Sequence, residues 1–327
     1  MTPFPTLAAL PRQLHTPRVR DLAWVMLSPP MLAETQWQQR HPLSASDWVD
    51  NPHALESFLR QLDQDSDPLS EWLARSSIRR LGLYYERLWQ FAIHHAPGVE
   101  LIAANLPIRV ENHTLGELDM LLRDKDGVHH LELAIKFYLG PLEADGHDPL
   151  NWLGPGSQDT LGSKLAHLNE HQLPMSARPE TRQALAALGI EEVQAHVWLG
   201  GYLLYPFRGP QTSPTGTHSD HPKGQWLAQK DWPAFIAERP NEHWQWVPRT
   251  QWLGPARVDT PWSRETLQGW LTQLDPAERA QLLVRLTETR DGDWEEAERV
   301  FLVSDRWPEW VNTDEVRSSI ATLTPPA

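Results

Sequence analysis

Two predicted strands joined at Asp126-Gly127 run from Gly116 to Leu139 and carry the residues of most chemical interest. Side chains alternate along a strand, so Glu117, Asp119 and Leu121 share one face of the first. Glu132, Ala134 and Lys136 share one face of the second, while Leu118, Met120, Leu122, Leu131, Leu133, Ile135 and Phe137 supply the opposite, core-forming faces. Carboxylates gathered on one side can hold a hard cation such as Mg²⁺ or Mn²⁺ that keeps several waters. Such an ion lowers the pKa of bound water and offsets charge developing on a phosphate, and an ammonium group alongside stabilises the same charge. Carboxylates beside a lysine are therefore a pattern suited to phosphodiester hydrolysis. The plain alternative is a solvated sheet face with cross-strand ion pairs.

The flanking elements are those needed to position such a hairpin. Apolar spacing predicts helices from Pro17 towards Ser28-Pro29-Pro30, from Asn51-Pro52 to about Leu62, and from Arg79 to His95 with Glu86 well inside. Leu101 to Val110 reads as a strand preceding the hairpin. After it come a Gly/Pro/Asp-rich loop (Gly140 to Gly162), a helix from Ser163 to Leu173, another from Pro179 to Leu188, and a long strand from Val193 to Phe207. Gly209 to Pro222 has linker composition. Beyond it the pattern predicts short strands over Gln225 to Val258, helices over Ser263 to Leu274 and Asp275 to Leu286, and a final strand at Val300 to Val303.

The order helix, strand, hairpin, helix, strand, with a helical glutamate followed by strand-borne Asp, Glu and Lys, resembles the PD-(D/E)XK phosphodiesterase superfamily. The match covers roughly Arg79 to Phe207. The stretches Leu81-Gly82-Leu83-Tyr84-Tyr85-Glu86, Gly116-Glu117-Leu118-Asp119 and Glu132 to Leu139 further resemble a bacterial family, domain of unknown function 1853, associated with that superfamily. The resemblance implies an α/β (α+β) protein with a restriction-endonuclease-like α-β-β-β-α-β core and a small mixed sheet. It also implies Asp119 as the primary metal ligand, Glu132 as a second carboxylate, Lys136 as the catalytic lysine and Glu86 as a helical ligand, with Mg²⁺ or Mn²⁺ as the cofactor. Lys164, His167 and Gln172, on the helix after the hairpin, are candidate substrate contacts.

The chain departs from that pattern at one point. The superfamily separates its second acidic residue from the lysine by one position, whereas here Ala134 stands two before Lys136 and Glu132 stands four before. Hairpin register governs the outcome. A two-residue turn at Asp126-Gly127 sets Asp119 opposite Ala134, and a four-residue loop sets it opposite Glu132.

Composition bounds the function. A formal charge of −14 argues against avid duplex DNA binding, which is driven by phosphate neutralisation, yet leaves phosphodiester chemistry open because a metal can supply local positive charge. With no cysteine there are no disulfides or thiolate metal sites, which fits a cytoplasmic protein. No apolar run is long enough to span a membrane. Ten of the 17 tryptophans lie from Trp226 onward; Trp244, Trp246 and Trp252 could stack bases, although core packing is the simpler role. The histidine pairs His94-His95, His129-His130 and His218/His221 lack zinc-site spacing. The expected organisation is a helical N-terminal cap (1–78), a nuclease-like core (79–208), a linker (209–224) and a Trp-rich portion (225–327). The expected function is a metal-dependent nuclease acting on ends, flaps or structured RNA. Its counterpart is a non-catalytic nucleic-acid- or protein-binding module on the same fold.

Overall fold

A computed structural model describes residues 2–75, 80–111, 113–275 and 279–308. The described residues form ten α-helices and nine strands, a mixed α/β fold with a mostly antiparallel sheet. In chain order these are α1 (Leu10–Gln13), α2 (Pro17–Leu27), α3 (Asp47–Asp50), α4 (Pro52–Gln64), α5 (Asp67–Ala74), α6 (Leu81–His95), β1 (Glu100–Val110), β2 (His113–Asp124), β3 (Gly127–Leu139), α7 (Leu161–His167), α8 (Pro179–Ala187), β4 (Gln194–Pro206), β5 (Lys223–Ala228), α9 (Trp232–Ala237), β6 (His243–Val247), β7 (Arg257–Val258), α10 (Arg264–Gln273), β8 (Gln281–Glu288) and β9 (Trp294–Val303). No helix among the described residues is long and apolar enough to cross a membrane.

The chain divides into two compact units. The first comprises Met1–Ile135, His167–Gly201 and His218–His221; the second comprises Lys136–Ala166, Tyr202–Thr217 and Pro222–Ala327. Strands β3 and β4 each contribute their first part to one unit and their last part to the other.

In the first unit, prolines at the starts of α2, α4 and α5 occupy positions where the helix needs no N–H donor. Residues of α2 and α6 meet His41. Its ring is 3% exposed, with Nε2 2.9 Å from the Met26 carbonyl and Nδ1 accepting from the Leu43 N–H at 3.1 Å. Phe4, Trp89 and Trp198 meet it edge to face. β1, β2 and β3 form an antiparallel meander. Ile108, Leu118 and Leu121 on this sheet pack against Met175, Leu185 and Ile190.

The hairpin register differs from a turn centred on Asp126-Gly127. Asp124 pairs with Gly127 and the turn residues are Lys125 and Asp126. Asp124 sets this: its Oδ1 accepts the N–H of Asp126 at 2.8 Å, and its Oδ2 is 2.6 Å from Arg40 Nη2. Gly127 closes the turn at φ +129°, a conformation open almost only to glycine. Gly127→Val is expected to destabilise the protein by about 1–3 kcal/mol in urea unfolding.

In the second unit, the parallel pairings β4–β5 and β5–β9 adjoin the antiparallel ladders β9–β8 and β8–β6. The segment ending at Leu286 is a strand, β8, over its Gln281–Glu288 portion, where the spacing predicts a helix; the expected helix start at Pro276 to Glu278 lies outside the described residues. Strand β8 is hydrogen-bonded on both edges and buries Leu282, Leu283, Val284 and Leu286. A short apolar run of that kind has no period that separates strand from helix. The tryptophans pack: Trp232 and Trp244 join Phe235, Leu283 and Val300 in one core cluster, and Trp246 stacks on Trp270.

Candidate functional site

The first unit gathers the predicted acidic residues around one point of the meander. Met120 lies opposite Leu131, so the next step of the register sets Asp119 against Glu132 rather than Ala134. Asp119 Oδ2 accepts the Leu133 N–H at 3.1 Å, which ties β2 to β3 just past the last ladder pair. On the other side of Asp119, β1 residues Ala104 and Leu106 pair with Met120 and Leu118 and so bracket Asn105. Asn105 has φ +51°, a left-handed backbone inside a strand. Asparagine tolerates that conformation better than most residues, and such strain concentrates at functional sites.

The Asn105 side chain reaches helix α6. Its Nδ2 donates to Glu86 Oε2 at 3.3 Å, and its Oδ1 accepts from Gln90 Nε2 at 3.4 Å. Burial raises the pKa of Glu86 above the usual carboxylate range. The Asn105 hydrogen bond works against that rise, and the negative charges of Asp119 and Glu117 add to it. Glu86, Asp119 and Glu117 are thus near enough to feel one another, and carboxyls perturbed in this way mark functional sites more often than inert surface.

Glu132 is fully buried, so its part of the face is not solvated. Its Oε1 lies 2.8 Å from His130 Nε2, and its Oε2 accepts from Gln172 Nε2 at 2.5 Å. Burial lowers His130 to about 4, only partly countered by Asp119. The ring is therefore neutral near pH 7, with its Nε2 facing the carboxyl. Gln172 sits at the end of a π-helical turn, Leu168–Gln172, that continues α7. Gln172, a candidate substrate contact, is a hydrogen-bond partner of Glu132. The His167 ring, also in this unit, lies tilted against that of His171 with centroids 5.2 Å apart.

Two predicted residues belong to the second unit. Lys136 Nζ pairs with Asp159 Oδ2 at 2.6 Å, and the buried Tyr138 is pushed up by burial and by the Asp159 charge. Asp159 comes from the loop after β3, which Leu153 ties down through bridges to Leu139 and Thr160. Lys164 lies on α7 and is half-buried.

The donor chemistry of Glu86, Asp119 and Glu132 is that of a hard-cation site, all carboxyl oxygen. The arrangement does not fit one. Both oxygens of Glu132 take hydrogen bonds from protein side chains. Among the described residues no group of three or more histidine, aspartate or glutamate side chains is placed to hold a metal ion.

Three members of this cluster escaped sequence reasoning. Asn105 carried one signal, a turn-forming residue inside an apolar strand. Gln90 and His130 carried none, because only tertiary placement gives them their partners.

No curated protein and no solved structure matches the chain. One family model does, over residues 20–303, which takes in both units apart from their outermost ends. The chain belongs to the family described as a domain of unknown function, DUF1853.

Proposed function

We propose that this chain is a nucleic-acid-binding module on a PD-(D/E)XK-type core whose acidic site does not cleave. The chain order supports the core: α6 with Glu86, then β1, then the β2–β3 hairpin with Asp119 against Glu132, then helices and β4. The observation that carries the non-cleaving part is Glu132, buried and hydrogen-bonded on both oxygens by His130 and Gln172. Two further features agree with it. Ala134 fills the lysine position of the superfamily pattern, and the ammonium of Lys136 is engaged by Asp159.

A metal-dependent phosphodiesterase using Mg²⁺ or Mn²⁺ on nucleic-acid ends, flaps or structured RNA is the second reading. It is favoured by the register that faces Asp119 with Glu132 and by the raised pKa of Glu86 beside Asp119. One titration separates the two. On the first reading, millimolar Mn²⁺ leaves the melting temperature of the protein unchanged, and labelled flap and single-stranded substrates stay intact. A melting temperature that climbs with Mn²⁺, and stops climbing in Asp119→Ala, would establish the second, because an ion bound to the native state stabilises it by mass action.

A further inference from the structure

In the first unit Arg75, at the C-terminal cap of α5, and Arg87, on α6, lie around one indole. The Arg75 guanidinium lies 5.2 Å from the Trp72 ring centroid and that of Arg87 lies 4.9 Å from it. The ring is pinned rather than loose. Trp72 Nε1 donates to the Arg87 carbonyl at 3.1 Å, Arg87 Nη2 donates to the Trp72 carbonyl at 3.0 Å, and His94 stacks on the indole at 5.3 Å.

Among the described residues the charge on this pair is not met by acid. The partners of Arg87 are neutral oxygens, the Trp72 carbonyl and Gln90 Oε1 at 2.7 Å, and its Nε has no hydrogen-bond partner. Among the described residues neither guanidinium forms an ion pair with a carboxylate. Burial lowers the pKa of Arg87 and the Arg75 charge adds to it, so the two cations stand close enough to repel. In a chain with 43 acidic and 29 basic residues, two neighbouring arginines with no acidic partner among the described residues make a local exception.

The patch is wired to the acidic site. Arg87 bonds Gln90, Gln90 bonds Asn105, and Asn105 bonds Glu86. We infer that Arg75 and Arg87, held against Trp72, bind a phosphate of single-stranded nucleic acid beside the Glu86 cluster. Two guanidiniums suit one oxyanion, since each offers planar, paired donors that phosphate oxygens accept. A single strand suits the patch better than a duplex, because one or two phosphate contacts are within its means while the overall charge repels a long phosphate array.

This inference rests on the nucleic-acid reading proposed above, and the test separates the two. A short, fluorescently labelled, 5′-phosphorylated single strand is titrated with the full chain in EDTA and followed by anisotropy, with inorganic phosphate as competitor. Arg75 is exposed, so Arg75→Gln keeps the fold, which circular dichroism and the melting temperature verify. Wild-type protein is expected to bind the strand, with Arg75→Gln weakening it about tenfold and flattening the logarithmic salt dependence by about 0.7, the value for one lost phosphate contact on a single strand. Strand binding that Arg75→Gln leaves within about twofold overturns the patch while sparing the nucleic-acid reading. Phosphate binding that needs Arg75 without any strand binding overturns both.

Discussion

Acidification from pH 7 to pH 4 is expected to unfold the first unit. His41 and His130 are held neutral by burial, with their pKa values driven from the ordinary 6.5 down to about 3 and about 4. The unfolded chain protonates both below about pH 6.5, so unfolding takes up protons and stability falls with pH. The contribution is intact above pH 6.5 and is lost progressively towards the folded pKa values. Each pKa unit corresponds to about 1.4 kcal/mol, so each ring forfeits on the order of 3 kcal/mol by pH 4. His196, 3% exposed and also lowered to about 4 by burial, shifts the balance the same way. The loss approaches the whole stability of an ordinary domain, about 5–15 kcal/mol. Urea unfolding at a series of pH values, followed by circular dichroism, should show the steepest fall between pH 6 and pH 4. His41→Gln, which has no charge to acquire, should flatten that slope while lowering stability at pH 7. A stability that stays level from pH 7 to pH 4 would mean these rings are protonated in the native state.

Arg299→Ala is the other substitution with a large expected effect, and it acts in the second unit. Arg299 is 3% exposed on β9. Its Nε and Nη2 hold the two oxygens of Glu296 at 2.7 and 3.1 Å, its Nη1 donates to the Trp252 carbonyl at 2.9 Å, and its guanidinium lies 3.7 Å from the Tyr202 ring centroid. Removing one member of a buried pair leaves the other charge uncompensated, which costs about 3–5 kcal/mol. Replacing both, as in Arg299→Met with Glu296→Leu, should recover much of that loss, because an apolar pair of similar volume carries no desolvation penalty. Unfolding midpoints of the single and double variants read this directly. Equal losses in the two would place the stability in the Trp252 and Tyr202 contacts instead of the ion pair.

How much was legible in the sequence depended on whether the deciding force was local. The β2–β3 hairpin is written in alternation and in Asp-Gly chemistry, and the helix bearing Glu86 in its apolar period. Its one-residue turn shift was not legible, because Arg40, far away in the chain, helps hold Asp124 in place. Strand β8 was misread because it is fixed by pairing with β6 and β9 along its edges and by Leu283 packing in the Trp-rich core, neither of which leaves a period in Gln281–Glu288. At the candidate site, the acidic residues were visible by type and spacing. What they do was not: Glu132 is occupied by His130 and Gln172, and Asn105 turns towards Glu86 through a left-handed backbone whose one trace in the sequence is a turn-forming residue inside an apolar strand.

The interleaved course of the chain has a consequence for synthesis. Since the first unit takes its last pieces from His167–Gly201 and His218–His221, with stretches of the second unit between them, an emerging N-terminal half cannot complete its structure on the ribosome. Translation must pass His221 before that unit has all its parts, and until then the apolar strands of the meander lack their remaining neighbours. Such a nascent chain is a natural client for holding chaperones.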